Sequence, residues 1–194
     1  MRRSVVLAAA TVVVAAWLPP VQAATAQSSI ESAGSASPAT AGSAVQALRA
    51  LEITPRATGK GRKGQRLSVT PTRGLSPSGQ TVKVSGRGFS EVVGIYVGLC
   101  VMPRPGAKPT PCGGGIDQDG SSRASAWISS NPPPYGAGLA TPYKRGGKFT
   151  VRIKVSPRIG AYDCRVVRCA IVARADHLRA NDRTWDVAVP VTFR

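Results

Sequence analysis

The sequence predicts an all-β protein, a seven-stranded immunoglobulin-like antiparallel β-sandwich over residues 67–194, preceded by a disordered N-terminal segment. Three observations predict it. From Leu67 onward the chain is a series of short alternating runs, each a few residues long. Between the runs stand turn residues drawn from the 21 glycines and 16 prolines of the chain. No amphipathic helix of useful length interrupts that series, and with 5% aromatic residues the core must be built of Val, Ile and Leu.

The 194 residues suffice for one domain and a tail. Met1-Arg2-Arg3 is a basic opening and Ser4–Leu18 an apolar stretch; Pro19-Pro20 break it, and Val21-Gln22-Ala23 offers small residues for cleavage. This is the layout of a secretory signal over residues 1–23. The alternative is a membrane anchor, but fifteen residues fall short of the ~20 that span a bilayer. Ala24–Gly42 has almost no large apolar residue and reads as disordered. Ser43–Ile53 places Val45, Leu48 and Leu51 on one side of a short, marginal helix. Thr54–Arg66 interleaves Arg56, Lys60, Arg62, Lys63 and Arg66 with glycines, which reads as a solvated basic linker, either a spacer or a contact for polyanions.

Seven strand candidates follow in order: Leu67–Thr70, Thr81–Ser85, Gly94–Met102, Ala124–Ser129, Lys148–Val155, Cys169–Ala175 and Asp186–Phe193. In the third, Ile95, Val97, Leu99 and Val101 share one face, while Tyr96, Gly98, Cys100 and Met102 share the other. The fifth sends Phe149, Val151, Ile153 and Val155 inward and basic residues outward. A long Pro/Gly/Tyr segment, Asn131–Gly147, connects the fourth and fifth.

Four cysteines in an exported chain read as two disulfides. Of three pairings, Cys100–Cys112 and Cys164–Cys169 each frame a turn. Chain entropy assigns roughly 3 kcal/mol to the larger loop and about 2 to the smaller. A zinc site from all four thiolates is the rival; spacings of eleven and four intervening residues do not match zinc ribbons, and His177 is the one histidine.

Val69-Thr-Pro-Thr-Arg-Gly-Leu75, Thr81-Val-Lys-Val-Ser-Gly-Arg-Gly88, Tyr96-Val-Gly-Leu-Cys100, Asp163-Cys164-Arg-Val-Val-Arg-Cys169 and Val189-Pro-Val-Thr-Phe193 resemble the neocarzinostatin family over Leu67–Arg194. The resemblance implies an exported actinobacterial apoprotein of a chromoprotein antibiotic, with two local disulfides and an enediyne-type ligand in a cleft on the outer face of one sheet. Carried onto this sequence, that face holds Tyr96, Gly98, Cys100 and Met102 on one strand and Ala170, Val172 and Arg174 on another, with Pro111 beside Cys112. The chain departs from the family pattern at Met102 and Arg174. Ser156–Asp163 is also too short for the aromatic hairpin that walls the family's ligand. The extra length lies in Asn131–Gly147, where Tyr135 and Tyr143, with Trp127, form a candidate aromatic lid over the face. The competing reading has Pro132-Pro-Pro134 stiffening a surface loop whose tyrosines pack onto the sheet.

His177, next to Asp176, falls on the loop between the last two strands. A hydrolase reading lacks a nucleophile elbow, so the pair reads as structural or solvated. Haem ligation by His177, Tyr96, Tyr135, Tyr143 or Met102 rests on residue types alone; no metal or cofactor is expected. The formal charge is +17, or +15 once Arg2 and Arg3 leave with the signal. Part of that charge reads as protection of sheet edges. It also predicts salt-sensitive, sequence-independent attraction to polyanions, including DNA. Two functions follow. One is an exported, monomeric, non-enzymatic carrier of an apolar small molecule. The other is a basic envelope domain that contacts anionic polymers or partner proteins and has no small-molecule ligand.

Overall fold

The computed structural model describes residues 54–114 and 120–194. The signal over 1–23, the stretch Ala24–Gly42 and the helix considered for Ser43–Ile53 lie outside the described residues.

Two sheets face each other. The first has the order β1-β2-β3-β7, from Ala57–Lys60, Arg66–Thr70, Gln80–Arg87 and Phe149–Val155. The second has the order β11-β10-β4-β5-β6, from Val187–Val191, Cys169–Ala175, Ile95–Val101, Ser125–Ile128 and Ala140–Thr141. Pairing is antiparallel throughout both, except that β6 adds to β5 in parallel. A separate hairpin joins β8 (Arg158–Ile159) to β9 (Tyr162–Asp163). All seven expected strands are present, and the inner residues of each make one core. Leu67, Val69, Val82, Val84, Ile95, Val97, Ile128, Ile153 and Ile171 are wholly buried in it. Burying each such side chain contributes roughly 1.5–3 kcal/mol. Among the described residues no helix is long and apolar enough to cross a membrane.

Both disulfides take the local pairing, Cys100–Cys112 and Cys164–Cys169. The first binds the loop after β4 back onto that strand, where Val101 N–H donates to Pro111 O at 3.0 Å and Gly113 N–H to Leu99 O at 2.7 Å. β4 is therefore covered on both faces, one by the sandwich core and the other by the returning loop.

The basic linker expected over Thr54–Arg66 needs correction. Ala57–Lys60 is a strand, paired in register with β2 from Ala57↔Val69 to Lys60↔Arg66. Its inward positions are Ala57 and Gly59, too small to leave a hydrophobic signature. Gly59 is required there, because a side chain would run into the carbonyl oxygen of Ala188 on β11. Ser156–Asp163, too short for the family's aromatic hairpin, still forms a small hairpin of its own, β8–β9, closed by a tight turn with Gly160 at φ 56°. Ile159 of that hairpin enters the core while Tyr162 stays exposed.

Candidate ligand groove

The register of β4 and β10 fixes which side chains share the outer face of the second sheet. Tyr96 pairs with Arg174, Gly98 with Val172 and Cys100 with Ala170, so all six point away from the sandwich core. Their alternates, Ile95, Val97, Leu99, Ile171 and Ala173, belong to the core. The parity read from the sequence holds.

Gly98 is the low point of this face. A methyl group built on it would meet Ser125 Cβ at 3.7 Å and Gly113 O at 3.8 Å, ordinary contact distances, so Gly98 is covered by its neighbours yet a methyl group would fit there. Around it, Val172, the Cys100–Cys112 bridge and Gly113 floor a groove of about 1000 Å³. The groove runs along β5 and past its edge to Val151 and Arg152 of β7. Arg123, Arg152 and Arg174 bring positive charge to its rim. Arg174 is half-buried and its Nη1 donates to Pro109 O at 3.4 Å; burial, and then the neighbouring Arg183, lower its affinity for a proton.

One wall is aromatic. Tyr96 and Trp127 sit directly opposite each other on β4 and β5, with ring centroids 5.9 Å apart. His177 packs edge-on to Trp127 at 5.3 Å and stacks on Tyr96 at 5.9 Å. The phenol of Tyr96 meets His177 Nδ1 at 2.5 Å, and that of Tyr135 meets Nε2 at 2.6 Å. The imidazole thus bridges the two phenols, one through each ring nitrogen. Burial raises the pKa of Tyr96, and the Asp176 carboxylate raises it further, so the phenol keeps its proton.

Asp176 organises this wall from beneath. Its side chain is buried at 2% exposure; Oδ2 accepts from Trp127 Nε1–H at 3.0 Å and Oδ1 from Leu178 N–H at 3.1 Å. The second bond caps the single helical turn His177–Arg179 and so aims the imidazole. Two glycines make room. A side chain on Gly94 would collide with the Asp176 carboxylate, and one on Gly136 with the Trp127 ring. Gly136 ends the short turn Pro134–Gly136 that carries Tyr135, so the loop can settle on Trp127 and place the Tyr135 phenol at His177.

Of the residues expected at the site, Tyr96, Gly98, Trp127, Tyr135, Val172 and Arg174 come together here. Four others lie elsewhere. Tyr143 is buried in the sandwich core, its hydroxyl donating to Val93 O at 3.0 Å and its ring edge-on to Phe149, because the loop turns inward on its way to β7. Burial pushes its phenol pKa up. Met102 lies past the end of β4 and lines a separate hollow of about 330 Å³ with Arg104, Pro109 and Ala188. Ala170 is fully covered, beneath Cys100 and Met102. Pro111 stands beside the groove, its carbonyl engaged by Val101. His177 is the functional candidate that was read as merely structural. The signal for it was Asp176 as a capping residue directly after β10, which places the next side chain over the Tyr96 end of β4.

Among the described residues, no three His, Cys, Asp or Glu side chains gather as a metal site. Residues 67–193 match the neocarzinostatin family. The solved structure of macromomycin is similar at 26% identity, covering 67% of this chain and 99% of that one, with a TM-score of 0.44. No curated protein matches. The chain belongs to the neocarzinostatin family, the non-catalytic binding apoproteins of the chromoprotein antibiotics.

Proposed function

We propose that this family member carries an apolar, aromatic small molecule in the groove on the outer face of β4 and β10. The observation that carries the reading is the hydrogen-bonded aromatic wall of Tyr96, Trp127, Tyr135 and His177 beside a groove floor where Gly98 carries no side chain. Clefts that hold small ligands are mostly apolar with a few placed polar groups, and run to about 1000 Å³. Here the polar groups are the two phenols, the imidazole and Arg174. Burying about 150 Å² of apolar ligand surface yields roughly 4 kcal/mol before association costs. Those costs are of similar size. A wall already fixed by Asp176 and by the Tyr–His–Tyr bonds reduces the ordering part of them. The three arginines at the rim favour a ligand with an anionic or strongly accepting group. Export to the envelope or the medium fits both the signal read over residues 1–23 and the two disulfides.

The test is a titration with a naphthalene sulfonate dye, followed by tryptophan quenching and dye emission. The wild-type chain is expected to bind saturably. Gly98→Trp fills the hollow and should lower affinity at least tenfold, with the circular dichroism of the fold unchanged. Equal binding by the variant would place the ligand elsewhere.

A further inference from the structure

The outer face of the other sheet has a composition that the groove does not explain. Twelve side chains point outward from β1, β2, β3 and β7, and every one is basic or carries a hydroxyl. Lys60, Arg66, Lys83, Arg87, Arg152 and Lys154 supply the charge, and six serines and threonines supply the rest. No acidic, apolar or aromatic residue interrupts them. All six cations are exposed, and the ion pairs of the described residues lie elsewhere, on the β8–β9 hairpin and its following turn and on the loop before β11.

The register places like charges side by side. Lys60 is opposite Arg66, Arg66 opposite Arg87, and Lys83 opposite Arg152. Directly opposed like charges destabilise a sheet. Protection of sheet edges does not account for them, because β2 and β3, which carry Arg66, Lys83 and Arg87, are the interior strands. The arrangement has a cost to the fold and no structural return within it.

The spacing is regular. One cation row is Lys60–Arg66–Arg87 and the next is Lys83–Arg152. Between them runs a hydroxyl row, Thr58–Ser68–Ser85–Thr150, with Thr58 and Ser68 bonded at 2.7 Å and Ser85 and Thr150 at 3.1 Å. Four residues along β3 separate the cation rows, roughly 13 Å at about 3.3 Å per residue. That is close to the ~12 Å groove of B-form DNA. Arg, Lys, Ser and Thr are the side chains that contact phosphate oxygens. No aromatic platform is present for stacking unpaired bases.

We propose that this face is a second binding surface, which lies along the phosphate backbones of duplex DNA. Each cation row faces one strand across a groove, and the hydroxyl row bridges the gap. Recognition is of phosphate spacing and charge, with no base reading. The surface adjoins the ligand groove at Arg152 and extends from there across β3, β2 and β1.

Anisotropy titrations of the full chain with two labelled 20-base-pair duplexes of unrelated sequence, between 50 and 300 mM salt, test it. The two duplexes should bind alike, with affinity falling steeply as salt rises. Arg66→Ser/Arg87→Ser, and separately Lys83→Ser/Lys154→Ser, should each weaken binding roughly tenfold or more and flatten the log–log salt slope by about 2. Arg104→Ser/Lys108→Ser removes the same charge from a loop of the other sheet and should change affinity less than about threefold, with the slope falling by much less than 2. If that control loses as much as the face variants, no dedicated face exists. Tighter binding of single strands, or of poly(glycerol phosphate) at equal phosphate concentration, would overturn the duplex assignment.

Discussion

Asp176 shows how one buried carboxylate can hold a site together. It accepts from an indole on β5 and from the backbone of the turn that carries His177, so the aromatic wall has a single anchor. Asp176→Ala leaves both donors without a partner. Each buried unsatisfied donor costs roughly 1–3 kcal/mol, and loss of a cap typically about 1. Chemical denaturation should therefore show a loss of about 2–4 kcal/mol, together with a shift in Trp127 emission. An unchanged midpoint would mean that the carboxylate does not anchor the wall. Gly94→Ala should act on the same group by pressing a methyl into it. At this scale the sequence was legible where parity decides. Alternation alone placed Tyr96 and Gly98 on one face of their strand, since a period of two leaves no other choice, and the family resemblance set Val172 beside them. His177 was not legible that way, because a side chain on a capped turn is placed by tertiary register and not by its own neighbours in the chain.

Among the elements, seven strands could be read from short runs of strand-forming residues, and β1, β6, β8 and β9 could not. β1 went unread because Gly59 is its inward residue and Lys60 its outward one, a pattern shared with solvated linkers. Its packing on β11 gives a test. Gly59→Val directs a branched side chain at Ala188 O and should detach β1 or lower stability by more than about 1 kcal/mol, within the range of overpacked cores. Hydrogen exchange at Thr58–Lys60 would report the detachment, and a variant protected like wild type would show that β1 does not rely on that close approach. The Asn131–Gly147 loop divides by function for a related reason. Tyr135 rides on a turn seated on Trp127, whereas Tyr143 dives into the core ahead of β7. Tyr143→Phe loses one buried hydrogen bond to Val93 and should cost about 1 kcal/mol while leaving dye affinity unaltered. Tyr135→Phe should do the reverse, weakening the dye with little effect on unfolding, since the hydroxyl it loses is exposed. Two tyrosines eight residues apart in a proline-rich loop look alike in sequence; only the fold separates them.

At the scale of the whole molecule the dominant quantity is charge. A formal +17 on 194 residues, with six of the 26 basic residues on one sheet face and five of these directly opposed, implies self-repulsion in the native state. Salt screens that repulsion, with a Debye length near 10 Å at about 0.1 M and near 3 Å at 1 M. The melting temperature should therefore rise as sodium chloride goes from 10 to 500 mM, with most of the gain in the first part of the range. The few ion pairs among the described residues work in the other sense. Asp163, between Arg165 at 2.6 Å and Arg158 at 3.6 Å, has its pKa drawn down by the Arg165 hydrogen bonds. A depressed carboxylate pKa adds stability above the unfolded-state value and loses it as pH falls toward the folded one. Both arginines are exposed, so that contribution is small and salt weakens it. Removing like charge should reproduce the effect of salt. Arg66→Ser/Arg87→Ser is expected to melt higher than wild type at 10 mM salt, and the two curves should converge by 500 mM. The same substitutions that weaken DNA binding would then strengthen the fold, as expected of charges kept for a partner and not for the sheet. A variant that melts lower than wild type at low salt would show that these arginines support the fold, and the case for a dedicated face would lose its energetic basis.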